Sequence, residues 1–167
     1  MRLRLASGTL TKTEDFMELA QLALQAGLPA EARRIADQGF KSGVLGTGPE
    51  AARHQRLRDL AVKQEGEAKT SLANQVADAQ VQPTGDALVK FGFAQVSLGE
   101  VDVGIKLIEQ GLAKGKLRFP EDGKLRLGMA QLQSPKTKSA AVNTLRSVKG
   151  TDGAADVARL WVILGNP

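Results

Sequence analysis

The chain has 167 residues, 42% of them hydrophobic and 25% charged, with a formal net charge of +5, no cysteine and one histidine, His54. That apolar content suffices for a packed core without disulfides or a structural metal, and the residue inventory removes thiolate chemistry, cysteine-ligated zinc and any histidine pair. One Trp, five Phe and no Tyr leave few stacking platforms, which argues against single-stranded nucleic acid as a partner, and no run of about 18 apolar residues exists to insert into a membrane.

The charge is uneven: residues 1–83 carry 11 Lys/Arg against 10 Asp/Glu, and the remainder 12 against 8. The second half is the basic half, at a level that favours anionic partners only mildly. Absence of cysteine suits both oxidising and reducing compartments.

An internal period of 36 residues organises everything else. The run from Ile35 to Gly43 (IADQGFKSG) matches the run from Leu107 to Gly115 (LIEQGLAKG) in residue type at nearly every position, two periods apart. In chain order, residues 1–12, with Leu3, Leu5 and Gly8, read as the end of an upstream repeat in a longer protein. Unit 1 spans 13–48, with helices expected at about 14–26 and 30–42. Unit 2, 49–84, is degenerate: Lys63 stands where the other units have Gly27, Gly99 and Pro135 between their helices. It reads either as a pair turned at Gly66 or as one long helix. Residues 80–85 are the most linker-like. Unit 3, 85–120, predicts helices at 84–98 and 101–114, and unit 4, 121–150, predicts helices at 121–133 and 136–149. Residues 151–167 predict a capping helix that starts at Thr151 or Asp152 and runs through Trp161 to Leu164.

Columns of the repeat carry physical roles. Glu14, Glu50, Asp86 and Asp122 recur where a first helical turn favours negative charge. Thr11 with Glu14 and Thr47 with Glu50 have capping-box spacing. Leu24, Leu60, Val96 and Leu132 form one expected core column, and Phe40, Val76, Leu112 and Val148 another. Ala32, Ala68, Gly104 and Ala140 form a small-residue column that lets two helices approach closely.

A helix pair of about 34 residues with small residues at its eighth, twentieth and twenty-seventh positions resembles the tetratricopeptide repeat family. Those columns hold Ala20, Ala32 and Gly39 in unit 1, Gly92, Gly104 and Gly111 in unit 3, and Gly128, Ala140 and Ser147 in unit 4. The resemblance covers about residues 13–164, and Arg56 and Gln75 depart from it in unit 2. The stretches Leu19 to Gly27, Gly43 to Gly48, Glu109 to Gly115 and Gly150 to Gly153 are more narrowly similar to the C-terminal part of exported proteobacterial tetratricopeptide proteins. The resemblance implies an all-α fold, an α-solenoid of antiparallel helix pairs with a C-terminal capping helix. It also implies a periplasmic or secreted parent, with a cytoplasmic location as the alternative, and it brings no activity with it.

By the same resemblance, the first helices line a concave groove of Met17, Gln21, Arg53, Leu57, Val89, Lys90, Phe93, Leu125, Arg126 and Met129, apolar with a basic edge. Such a groove suits a protein or peptide partner with apolar anchors and some acidic residues. The competing reading is that Phe93, Met129 and the aliphatic column are core, and that Lys90 and Arg126 are a solvated face. The family's carboxylate-clamp members use Lys at the second column and Asn at the ninth, where this chain has acidic residues and Gln21, Leu57, Phe93 and Met129. These columns argue against a chaperone-tail adaptor role.

A basic cluster of Lys114, Lys116, Arg118, Lys124 and Arg126 is the candidate patch for an anionic polymer, and self-association is a further alternative. The glycine-rich run Gly43 to Gly48 reads as an inter-repeat loop, because no strand precedes it and no Gly-Lys-Ser/Thr follows. Arg53, Arg56 and Arg58 read as a solvated face balanced by Glu50 and Asp59, and His54 as a surface histidine. No catalytic constellation, metal set or cofactor motif is found, so the expectation is a non-catalytic binding scaffold.

Overall fold

The computed structural model describes residues 1–165, in which the chain forms nine helices and no strand: an all-α protein. The helices are α1 Arg2–Ala6, α2 Thr13–Gln25, α3 Pro29–Lys41, α4 Ala51–Val81, α5 Asp86–Ser97, α6 Val101–Lys114, α7 Pro120–Gln131, α8 Lys138–Arg146 and α9 Ala154–Gly165. Asn166 and Pro167, the end of the expected capping segment, lie outside the described residues. The chain divides into two compact units, Met1–Ser71 and Leu72–Pro167. No described helix is long and apolar enough to cross a membrane; α4 has the length at 31 residues but carries nine charges.

In the first unit α2 packs against α3 through Ala20 and Ala32, both fully buried, around Phe16, Leu19 and Ile35. The turn between them is set by Gly27 at φ 73, whose N–H and that of Leu28 return to the carbonyls of Leu24 and Ala23. That is the Schellman closure, which a β-carbon at the left-handed position would strain. The same closure ends α3 at Gly43 and α5 at Gly99. Arg2 forks onto Glu31 at 2.6 and 2.9 Å and Arg4 reaches Asp15 at 2.7 Å, fixing α1 to the hairpin.

The degenerate unit folds as a single helix, α4. Lys63 has a β-carbon and donates its backbone N–H within the helix, so nothing stops the chain at the turn column, and Gly66 does not turn it. What faces inward is a stripe at steps of three and four residues: His54, Leu57, Ala61, Glu65, Ala68, Leu72, Val76 and Ala79 are buried or half-buried.

In the second unit α5 and α6 make the closest helix contact of this half. Gly92 and Gly104 face each other: a β-carbon on Gly104 would lie 2.5 Å from the Gly92 carbonyl oxygen, and one on Gly92 2.8 Å from that of Gly104. Gly85 and Gly111 oppose one another in the same way a few residues along. Helix α7 packs on both α5 and α6, α8 packs on α7, and α9 packs on α7 and α8. Ala79 at the end of α4 is buried with Leu88 and Leu107.

Several column assignments need correction. Leu60 is 44% exposed and Leu24 and Leu132 are half-buried, so only Val96 of that column is core. In unit 4 Ala140 is exposed and its neighbour Ala141 is fully buried, because the turn Ser134 to Thr137 delays α8 to Lys138. The capping boxes do not form: Lys12 is the N-cap of α2, while the Thr13 hydroxyl donates to the Val44 carbonyl instead. At α9 the Asp152 carboxylate does take up a helix-start N–H, that of Ala154, at 3.1 Å.

Candidate functional site

The apolar members of the expected groove, Met17, Leu57, Val89, Phe93, Leu125 and Met129, are all at most 9% exposed. Their side chains are taken up by helix packing within each unit, which corrects the expectation that they offer an open apolar surface. The polar members Gln21, Arg53 and Lys90 are exposed and Arg126 is half-buried. Arg126 is ion-paired with Asp122 at 2.8 Å and lies over the Phe93 ring at 5.7 Å, and Arg53 meets Glu50 at 3.4 Å. Exposed pairs of this kind contribute only about 0.2–1 kcal/mol each to stability.

His54 is 4% exposed rather than a surface residue. Its Nδ1 accepts the Gly46 N–H at 3.2 Å, so the neutral ring carries its proton on Nε2. With Leu45 buried and Thr13 bonded to Val44, the ring holds the Gly43 to Gly48 loop to the first unit. The loop's amides are therefore not arranged around an anion. The nearby arginines are similarly engaged: Arg58 reaches Asp37 at 2.6 Å and lies over Phe40 at 5.3 Å. Sequence reasoning missed Glu65, which is 5% exposed and ion-paired with Arg33 at 2.9 Å and Lys69 at 2.8 Å. Its place in the three-and-four stripe of α4 was the available signal.

In the second unit a cleft of about 450 Å³ opens between the α5–α6 turn and the α7–α8 turn, lined by Glu100, Asp102, Val103, Ser134 and Lys136 among others. The Asp102 carboxylate accepts from Lys136 at 3.1 Å and from the Ser134 hydroxyl at 3.2 Å, and these two bonds, Lys136 first, hold its pKa below the ordinary aspartate value. The Ser134 hydroxyl thus donates to a carboxylate whose lowered pKa makes it a weak base.

The basic cluster separates into two groups. Lys124 pairs with Glu121 at 2.7 Å and Arg126 with Asp122, so both are neutralised on α7 itself. Glu121 is held below the ordinary glutamate pKa by Lys124 first and then by the Lys149 N–H. Lys114, Lys116 and Arg118 form no ion pair with a carboxylate among the described residues; Lys114 donates to the Gln80 carbonyl at 2.6 Å. Beside them Phe119 is 60% exposed. Among the described residues no group of three or more His, Cys, Asp or Glu is placed to hold a metal ion. Compared with models of protein families, with curated proteins and with solved structures, the chain matches none.

Proposed function

We propose that this chain is a non-catalytic helical-repeat scaffold of tetratricopeptide type that binds a protein or peptide partner. The observation that supports this reading most is the use of the repeat's small columns: Ala20 with Ala32, and Gly92 with Gly104, lie where two helices meet, at equivalent positions two periods apart. Stacked hairpins of this kind form an α-solenoid whose surface is preorganised, so a partner docks with little ordering of the scaffold. With the apolar groove residues buried, what each unit leaves to a partner is exposed polar side chains, Gln21 and Arg53 in the first and Lys90 in the second, with apolar side chains left outside the core. A periplasmic or secreted setting is the one the resemblance implies.

The test is a titration of the full chain, by fluorescence anisotropy, against labelled short peptides that vary independently in charge and apolar content. Saturable one-to-one binding of one peptide class supports a scaffold. Binding confined to heparin, with affinity falling steeply as salt rises, would replace it with an anionic-polymer binder. Self-association is the second reading, because Leu160 and Ile163 are exposed on α9. Sedimentation equilibrium separates it: a mass that rises with concentration, and falls back in Ile163→Lys, assigns the α9 face to a second copy.

A further inference from the structure

Two loops of the second unit run side by side and are bonded together. The Gly85 N–H donates to the Gly115 carbonyl at 3.0 Å, the Arg118 N–H donates to the Asp86 carboxylate at 3.0 Å, and Lys114 reaches the Gln80 carbonyl. Along this edge stand two exposed apolar side chains, Val81 at 85% exposure and Phe119 at 60%. Interleaved with them are Lys114, Lys116 and Arg118, the three cations of the basic cluster that no carboxylate of the described residues neutralises. The Arg118 guanidinium lies over the Phe119 ring at 5.2 Å, which holds the ring in place and leaves the guanidinium edge to accept a carboxylate.

A second observation concerns Lys116. It is the only non-glycine residue at positive φ among the described residues, at 53°, directly after Gly115 at 69°. A lysine is strained there and a glycine would not be, so the turn alone does not account for it. The strained backbone carries an exposed cation in the 114–119 segment, which hydrogen bonds fix to the 80–86 segment.

We infer that this edge, made by the 80–86 and 114–119 segments, docks an acidic peptide segment carrying an aromatic or aliphatic anchor. The inference rests on the scaffold reading and names the surface and the chemistry of its partner. Unpaired cations meet the carboxylates, and Phe119 and Val81 receive the anchor. A membrane surface would need a broader apolar face than these two side chains offer. A nucleic acid would need open aromatic faces, and Arg118 already covers one face of the single ring present.

The experiment titrates the full chain with a fluorescent peptide alternating Glu with Leu and Phe, beside one with Lys for Glu and one with Ser for the apolar residues. Binding of the first alone is expected, with amide shifts concentrated at 81–86 and 114–119. Phe119→Ser and Lys116→Gly are each expected to weaken it about tenfold, the size of an interface anchor. Lys116→Gly also carries a control on folding, since it should melt no lower than the parent while binding less. Undiminished binding by both variants, with shifts elsewhere, overturns this edge as the dock and leaves the scaffold standing. Failure of every peptide, together with binding to phosphatidylserine vesicles, overturns both readings.

Discussion

Helix α4 and the α5–α6 hairpin are two answers to one repeat. At the turn column the hairpin has Gly99, at φ 97, and α4 has Lys63. The hairpin stops, closes with returning N–H bonds and brings its two helices to backbone contact at Gly92 and Gly104. Without that stop α4 runs on, and it supports its length with a stripe that includes His54 and Glu65, held by a loop amide and by two cations. The residue at the turn column is one of the differences between the pair and the rod, beside Arg56 and Gln75. The glycines differ accordingly: Gly104 is in contact with a backbone, while a β-carbon on Gly66 would meet nothing within 4 Å.

Gly104→Val breaks the hairpin side of the comparison most strongly. The new side chain meets the Gly92 carbonyl and the Val96 side chain, both at 2.5 Å from its first carbon, and the neighbouring backbone cannot yield cheaply. Overpacking of this kind costs about 3 kcal/mol, read as a lower urea midpoint at unchanged m-value. His54→Ala addresses the rod: it leaves the Gly46 N–H unpaired and opens a void, for a loss of about 2 kcal/mol in the same measurement. Gly66→Ala has the opposite sign. An exposed helix-interior glycine without neighbours costs about 1 kcal/mol relative to alanine, so this variant should be more stable than the parent by about that amount. Were it destabilised instead, α4 would have a bend or partner at Gly66.

The smallest effect is a pH dependence in the second unit. Glu121 has its folded pKa lowered by Lys124 and the Lys149 N–H, so the stability it contributes is present above the ordinary glutamate pKa. That contribution is lost as pH falls through the lowered value. Glu121→Gln should therefore lower the melting temperature slightly at neutral pH, where the contribution is present, and match the parent at the acid end, which flattens the acid limb of a plot of melting temperature against pH. An acid limb identical to the parent's would show that the pair contributes nothing on folding.

Much of this was legible along the chain. Glycine stops and the 36-residue period placed the helices of units 1, 3 and 4 within a few residues, because a left-handed stop acts locally. The cap of α9 at Asp152, two residues before the helix begins at Ala154, was readable for the same reason. Local signals failed where another bond was available. The Thr47 hydroxyl donates to the Gly43 carbonyl and Lys12 stands at the N-cap of α2, so no capping box formed, and the Ser134 to Thr137 turn moved the buried small residue of unit 4 from Ala140 to Ala141.

The candidate site was less legible still, since a stripe of Met17, Phe93 and Met129 has the same spacing whether it faces a groove or a core. The sequence by itself determined that the protein is all-helical, where its turns fall and which columns are small enough for close approach, since these follow from propensity and backbone sterics within a few residues. Only the tertiary structure decided that the expected groove residues are buried, that His54 and Glu65 are internal, and that Lys124 and Arg126 are neutralised while Lys116 and Arg118 are not. Burial and charge pairing depend on which segments distant in sequence come to lie beside one another, and periodicity along one helix carries no record of its neighbours.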